Sequence, residues 1–190
     1  MQEYIVSSFE EYVKVIEQYK GNHFFRGQAN KEWPIAPSIF RQKELLADEH
    51  KELGEELKKV TSRPITKLFE MQHMGKKTRL LDLTIAPLAA LYFVIEDKAC
   101  EKEDGVVYII NKKETKSLES REVLIIEEFL KGKTIEEISI NIELPTSKVL
   151  EVLTREQIIE YNYNFSYTND RAILQGGTAV FFGGSIVEES

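Results

Sequence analysis

Apolar positions recur at steps of three and four from Phe9 to Tyr19, where Phe9, Tyr12, Val13, Ile16 and Tyr19 share one side and Ser8 stands before the first of them. This spacing predicts an amphipathic helix capped by Ser8 and closed by Gly21. The period then changes. His23 to Gln28, HFFRGQ, is short, aromatic-rich and set between turn residues, which predicts a strand. Trp33 to Phe40 holds two prolines and predicts an ordered loop, and the densely charged Glu44 to Val60, with its widely spaced leucines, predicts a solvated helix. Pro64 suits the first turn of a further helix and Gly75 its left-handed terminus, with Lys76 and Lys77 just past the negative end of the dipole. Arg79 to Asp82 predicts a short extended piece. The run LAALYFVI after Pro87 has no polar face and predicts a helix lodged in the middle of the core.

Asp104 and Gly105 predict a turn, Val106 to Ile110 a strand of β-branched and aromatic residues, and Ala179 to Phe182 with Ser185 to Glu188 a closing hairpin around Gly183 and Gly184. Strands and helices mix without regular β-α alternation, so the expected fold class is α+β, with a mixed or antiparallel sheet and packed helices over residues 1–190 as one domain. Within it, Gly132 to Tyr161 reads as a helix-turn-helix-like insert whose small core is Ile135, Ile138, Leu144, Val149, Leu150 and Leu153. The pattern looks like that of winged-helix modules. Its charges oppose DNA reading: Lys133, Lys148 and Arg155 stand against Glu136, Glu137, Glu143, Glu151, Glu156 and Glu160, where phosphate contact needs a basic surface. A packing insert or a contact surface for a protein partner is expected there.

Composition narrows the classes further. A chain of 190 residues, 42% of them hydrophobic, with 10 Phe and 8 Tyr, can fill the core of one domain. The 32 acidic against 25 basic side chains, a net charge of −7, disfavour nonspecific nucleic-acid binding. Cys100 is the single cysteine, so no disulfide forms within the chain, and nothing at the start resembles an export signal. No apolar run approaches the roughly 20 residues that span a bilayer, so no membrane role is expected and the expected location is cytoplasmic.

The candidate chemistry is polar and clustered. Arg26 sits after two aromatic residues in an expected buried strand, where a guanidinium needs an anion to complete it, and Gln28 two positions on shares its face. The block MQHMGKKTRLLDLTIAP, Met71 to Pro87, places His73 at a helix end, Arg79 and Asp82 on the extended piece, and Thr84 before a helix whose free N–H groups can hold a phosphate-sized anion. For each residue taken alone a structural reading is preferred, in which Arg79 pairs with Asp82 or a neighbouring acid, Thr84 caps the helix and His73 satisfies a carbonyl. Near the end, TNDRAILQGG offers Asp170, Arg171 and Gln175. Metal chemistry has weak support, because His23, His50 and His73 are far apart and Glu70 with His73 makes one Glu-x-x-His pair where a di-iron site needs two. The chain has no GxSxG elbow, Walker loop or dinucleotide glycine loop.

Taken in order, FRGQ with Trp33 and PSIFR, then MQHMGKKTRLLDLTIAPLAALYF, then DGVVYI, then NDRAILQGG resemble the FRG domain, a bacterial and phage family, from about His23 to Gly177. Met74, Leu83 and Ala179 stand where the family pattern usually has an aromatic ring. The resemblance implies a polar pocket that takes a nucleotide-type anionic ligand through Arg26, Gln28, Arg79, Asp82, Thr84, Arg171 and Gln175. The order of parts is also similar to that of ADP-ribosyltransferases, an analogy at the level of fold. That analogy implies NAD as cofactor, Arg26 on its diphosphate or ribose, His73 or Asp170 assisting proton movement, and an activity suited to a toxin or phage-defence effector. The alternative is a noncatalytic module that recognises an anionic group on a protein or nucleic-acid partner.

Overall fold

The computed structural model describes residues 2–19, 21–41, 44–59, 61–112, 115–161 and 178–183. Helix α1 (Phe9–Glu17) starts as the pattern predicts: Ser8 Oγ accepts from the Glu11 N–H at 3.2 Å, and Tyr12 and Ile16, one turn apart, are the residues it buries. There follow β1 (His23–Gln28), α2 (Glu44–Lys59), α3 (Pro64–His73), β2 (Leu80–Leu83), α4 (Pro87–Ile95), β3 (Val106–Asn111) and α5 (Arg121–Leu130). The chain continues through α6 (Ile135–Ile142), α7 (Thr146–Thr154), β4 (Gln157–Glu160) and β5 (Thr178–Phe181). The loop after Trp33 ends in a short 3-10 turn, Ser38–Arg41.

The fold is α+β, as expected, with two small antiparallel sheets. In one, β1 pairs with β3; in the other, the order is β2-β5-β4. Phe25 joins them by exchanging both backbone hydrogen bonds with Thr84, at 2.7 and 2.9 Å. Strand β5 is buried at all its positions, as befits a strand with a partner on either side. The second half of the expected closing hairpin, residues 185–188, lies outside the described residues.

One face of the β1–β3 sheet carries α1 and α4, with Tyr12, Ile16, Phe25 and Ala90 as its core. The glycine after Arg26 has its explanation here. A Cβ on Gly27 would lie 1.9 Å from the Ala90 carbonyl oxygen, and one on Gly105 would lie 2.1 Å from a Val94 methyl. Helix α4 can therefore press onto the sheet only where the strands offer no side chain. The helix is nevertheless not central. Only Ala90 of α4 is buried, while Leu88, Tyr92 and Ile95 are exposed, which corrects the expectation of a core helix. An apolar helix seated by one face on a two-stranded sheet covers only that face.

The larger core gathers residues from α2, α3, α5, α6, α7, β4 and β5, among them Leu53, Leu68, Ile126, Ile138, Val149 and Phe181. Helices α6 and α7 thus contribute to the main core and not to a small one of their own. Gln157–Glu160, expected as the tail of the second helix of the insert, is strand β4: Arg155 is already extended (φ −96°, ψ 152°), and Ile158 and Ile159 stand opposite Val180 and Ala179. Helix α2 is not simply solvated, since Leu53 and Glu49 are buried in it. No described helix is long and apolar enough to cross a membrane.

Candidate functional site

The face of β1 opposite α4 opens on a cleft of about 490 Å³. Strand periodicity puts Arg26 and Gln28 on that face together, as the sequence predicts, with the edge of β2 from Leu81 to Thr84 beside them. The turn after α3 forms one side. Its geometry follows from Gly75, at φ +80°: the Gly75 N–H donates to Gln72 O and the Lys76 N–H to Met71 O, both at 3.0 Å, a Schellman closure that carries Lys76 and Lys77 to the mouth. Trp33, Pro34 and Pro37 form a second side, and Phe93, Glu96 and Asp97 from the C-terminal end of α4 a third.

Arg26 is the half-buried cation of this cleft. Its Nη1 donates to the Asp82 carbonyl oxygen at 2.9 Å, its Nε is buried without a hydrogen-bond partner, and it forms no ion pair with a described residue. Burial pulls the guanidinium below the usual arginine value, an effect opposed by Asp82 and Tyr108. The neighbouring polar groups are chained together: Thr78 Oγ1 donates to Gln72 Oε1 at 2.6 Å, and Gln72 Nε2 donates to Asp82 Oδ2 at 3.1 Å. This chain holds the Asp82 side chain in place while its backbone carbonyl holds Arg26. Gln28 is buried and donates to the Trp33 carbonyl at 3.1 Å, so it fixes the loop that walls the cleft.

The remaining sequence-predicted residues divide. Thr84 lines the cleft, and its Oγ1 accepts from the Ala86 N–H at 3.0 Å. The first turn of α4, where Pro87 has no N–H to offer, does not line this cleft, which meets the opposite end of the helix. His73 is exposed at the end of α3 and does not line the cleft. Arg79 faces the larger core instead. Its Nε and its backbone N–H both donate to the Glu49 carboxylate at 2.6 Å, both side chains are almost fully buried, and the rings of Phe129 and Phe181 lie 5.1 and 5.8 Å from the guanidinium carbon. The structural alternative weighed for Arg79, pairing with an acid, is the arrangement present. Asp170, Arg171 and Gln175 lie outside the described residues.

Sequence reasoning missed Glu96 and Asp97 as cleft residues and gave Lys76 and Lys77 only a helix-end role. Charge along α4 offered a faint signal, since Glu96 and Asp97 close an otherwise uncharged run. A larger concavity, about 940 Å³, lies over Leu81, Ile158 and Val180. Its rim cations are engaged: Lys116 with Glu122 at 2.6 Å, Lys148 and Arg155 with Glu151 at 2.8 and 2.9 Å, and Arg121 with the Ile142 carbonyl. The smaller cleft, with its half-buried and incompletely satisfied arginine, is the better candidate.

Among the described residues no group of three or more histidine, cysteine or acidic side chains is placed to hold a metal ion. Residues 21–103 match the family model of the FRG domain, a span that includes every described wall of the cleft and stops well before NDRAILQGG. No curated protein and no solved structure matches the chain.

Proposed function

We infer that the Arg26 cleft, which lies within the stretch 21–103 that matches the FRG domain model, binds a small anionic ligand of nucleotide type. The observation that carries this reading is the Arg26 guanidinium itself, half-buried, with its Nε buried and unpartnered and no carboxylate paired to it among the described residues. A buried charge is costly unless something opposes it, and a planar guanidinium is matched by a phosphate that accepts two of its N–H groups. Lys77 at the mouth adds a second cation. Lys76 adds a third, although it already meets Glu52 at 3.1 Å. Trp33, more than a third exposed on the wall, offers a ring face to a base, and Asp82 offers a carboxylate to sugar hydroxyls.

Binding is favoured over turnover because His73 is outside the cleft. The transferase analogy has one observation in its favour: Glu96 and Asp97 supply carboxylates to the wall facing solvent, where an acceptor of ADP-ribose would enter. Release of nicotinamide from NAD is the assay that separates the two readings.

The test of binding is thermal unfolding with and without ADP-ribose, NAD, ATP and a short single-stranded oligonucleotide, repeated on Arg26→Ala. Ligand at 100 times its dissociation constant stabilises the native state by about 2.7 kcal/mol. The expected result is a rise in midpoint with a mononucleotide or dinucleotide ligand that Arg26→Ala abolishes while remaining folded. No rise with any of them, with a variant that melts far lower than the parent, would make Arg26 a structural group and move the search to protein partners.

A further inference from the structure

Among the described residues no strand pairs with the outer edge of β3, and the hydrogen-bond parity of the first sheet shows which of its groups turn toward that edge. Phe25 spends both its N–H and its C=O on Thr84, on the side of β1 away from β3. The Phe25–Ile109 pair is therefore a non-hydrogen-bonded one, and the ladder bonds run through Phe24–Ile110, Arg26–Tyr108 and Gln28–Val106. The bond from the Lys112 N–H to Asn22 O, at 3.2 Å, continues the same parity. It follows that Val107 and Ile109 turn their N–H and C=O groups outward, where no described strand pairs with them.

The side chains agree with the backbone. None of Val106 to Ile110 is buried, although all five are apolar or aromatic, whereas β5 is buried throughout. Proteins usually blunt such an edge with a lysine, a proline or a bulge, and the strand VVYIIN has no lysine or proline and keeps an unbroken register with β1.

We propose that β3 pairs antiparallel with the β3 of a second copy of this chain, joining two two-stranded sheets into one of four strands. The outward groups are odd-numbered, so a two-fold axis through Tyr108 sets Val107 opposite Ile109 of the second copy and lets the outward groups of both bond reciprocally. The same register brings Asp104 opposite Lys112 of the second copy at each end, an acid against a base. The strand is thus its own complement in backbone and in charge. Asp104 at present meets Lys31 at 2.8 Å on an exposed surface and retains further acceptor positions for a second cation.

Sedimentation velocity across a concentration series is the test, with Val107→Pro as the blocking variant. Proline at this position removes an outward N–H and leaves the ladder to β1 intact. The expected result is a concentration-dependent species of twice the chain mass that Val107→Pro abolishes while retaining its circular dichroism. Asp104→Lys should weaken the dimer and Asp104→Lys combined with Lys112→Asp should restore it. A wild-type chain that stays monomeric up to its solubility, or a dimer that survives in folded Val107→Pro, overturns the proposal. Should Val107→Pro fail to fold, amide exchange of the wild type decides. Protection at Val107 and Ile109 that grows with concentration upholds the edge pairing, and fast exchange at every concentration overturns it.

Discussion

Arg26 and Arg79 show how two arginines of one sequence neighbourhood acquire different work. Arg79 is closed off by Glu49 and two aromatic rings, and its task is to hold α2 against the start of β2. Removing one partner of a buried pair leaves the other charge uncompensated, so Glu49→Gln should cost about 3–5 kcal/mol in urea unfolding. A loss under 1 kcal/mol would show that the pair carries little. Arg26 instead has a carbonyl where Arg79 has a carboxylate. Beside it, Gly27 faces the Ala90 carbonyl oxygen, a backbone atom that cannot swing aside. Gly27→Ala should therefore lower stability by about 1–3 kcal/mol, the cost of forcing a methyl group into filled space. An unchanged unfolding midpoint would contradict that packing.

At the scale of the element, the junction of α5 and α6 is held by charge. Glu128 accepts from Lys131 at 2.7 Å and from Lys133, while the side chain of Thr134 and that of Glu137 form a capping box at the start of α6. Burial raises the Glu128 carboxyl, but the two lysines outweigh it and bring it down from 4.5 to about 2. A carboxylate depressed in the fold contributes stability above its unfolded value and loses it as pH falls through the folded one. Stability should thus decline between about pH 4.5 and pH 2, and Glu128→Gln should flatten that part of the profile measured by chemical denaturation. A profile of unchanged slope in the variant would remove Glu128 from the account. The elements with local signals were legible in the sequence: the Ser8 cap, the Pro64 start and the Gly75 stop each mark a boundary the structure keeps. Helix α5 has such marks too, Ser120 as its cap and Gly132 at φ +83° past its end, whereas strand β4 has none. Its apolar pair, Ile158 and Ile159, suits helix or strand alike, and what decides is pairing with distant residues of β5.

For the whole molecule, the pairing of β5 between β2 and β4 is the feature that local reading could not reach, since it joins residues nearly a hundred positions apart. The same applies to the cleft. Arg26 and Gln28 were legible as a pair because strand periodicity is local, and Asp82 and Thr84 because their block is dense. Glu96 and Asp97 join them only because α4 lies over Gly27 and Gly105. Glu49 was hidden for a related reason: four residues before Leu53, it occupies the buried stripe of a helix whose composition reads as solvated.

Whether the cleft beside Arg26 takes a nucleotide-type anion is decided by mapping amide chemical shifts during a titration with ADP-ribose. Saturable changes concentrated at Arg26, Gln28, Lys76, Lys77 and the indole of Trp33, and their loss in Arg26→Ala, are expected. Changes confined to the surface around Lys148 and Arg155, or none at ligand concentrations in the millimolar range where binding of even about −4 kcal/mol would register, would contradict binding in the cleft.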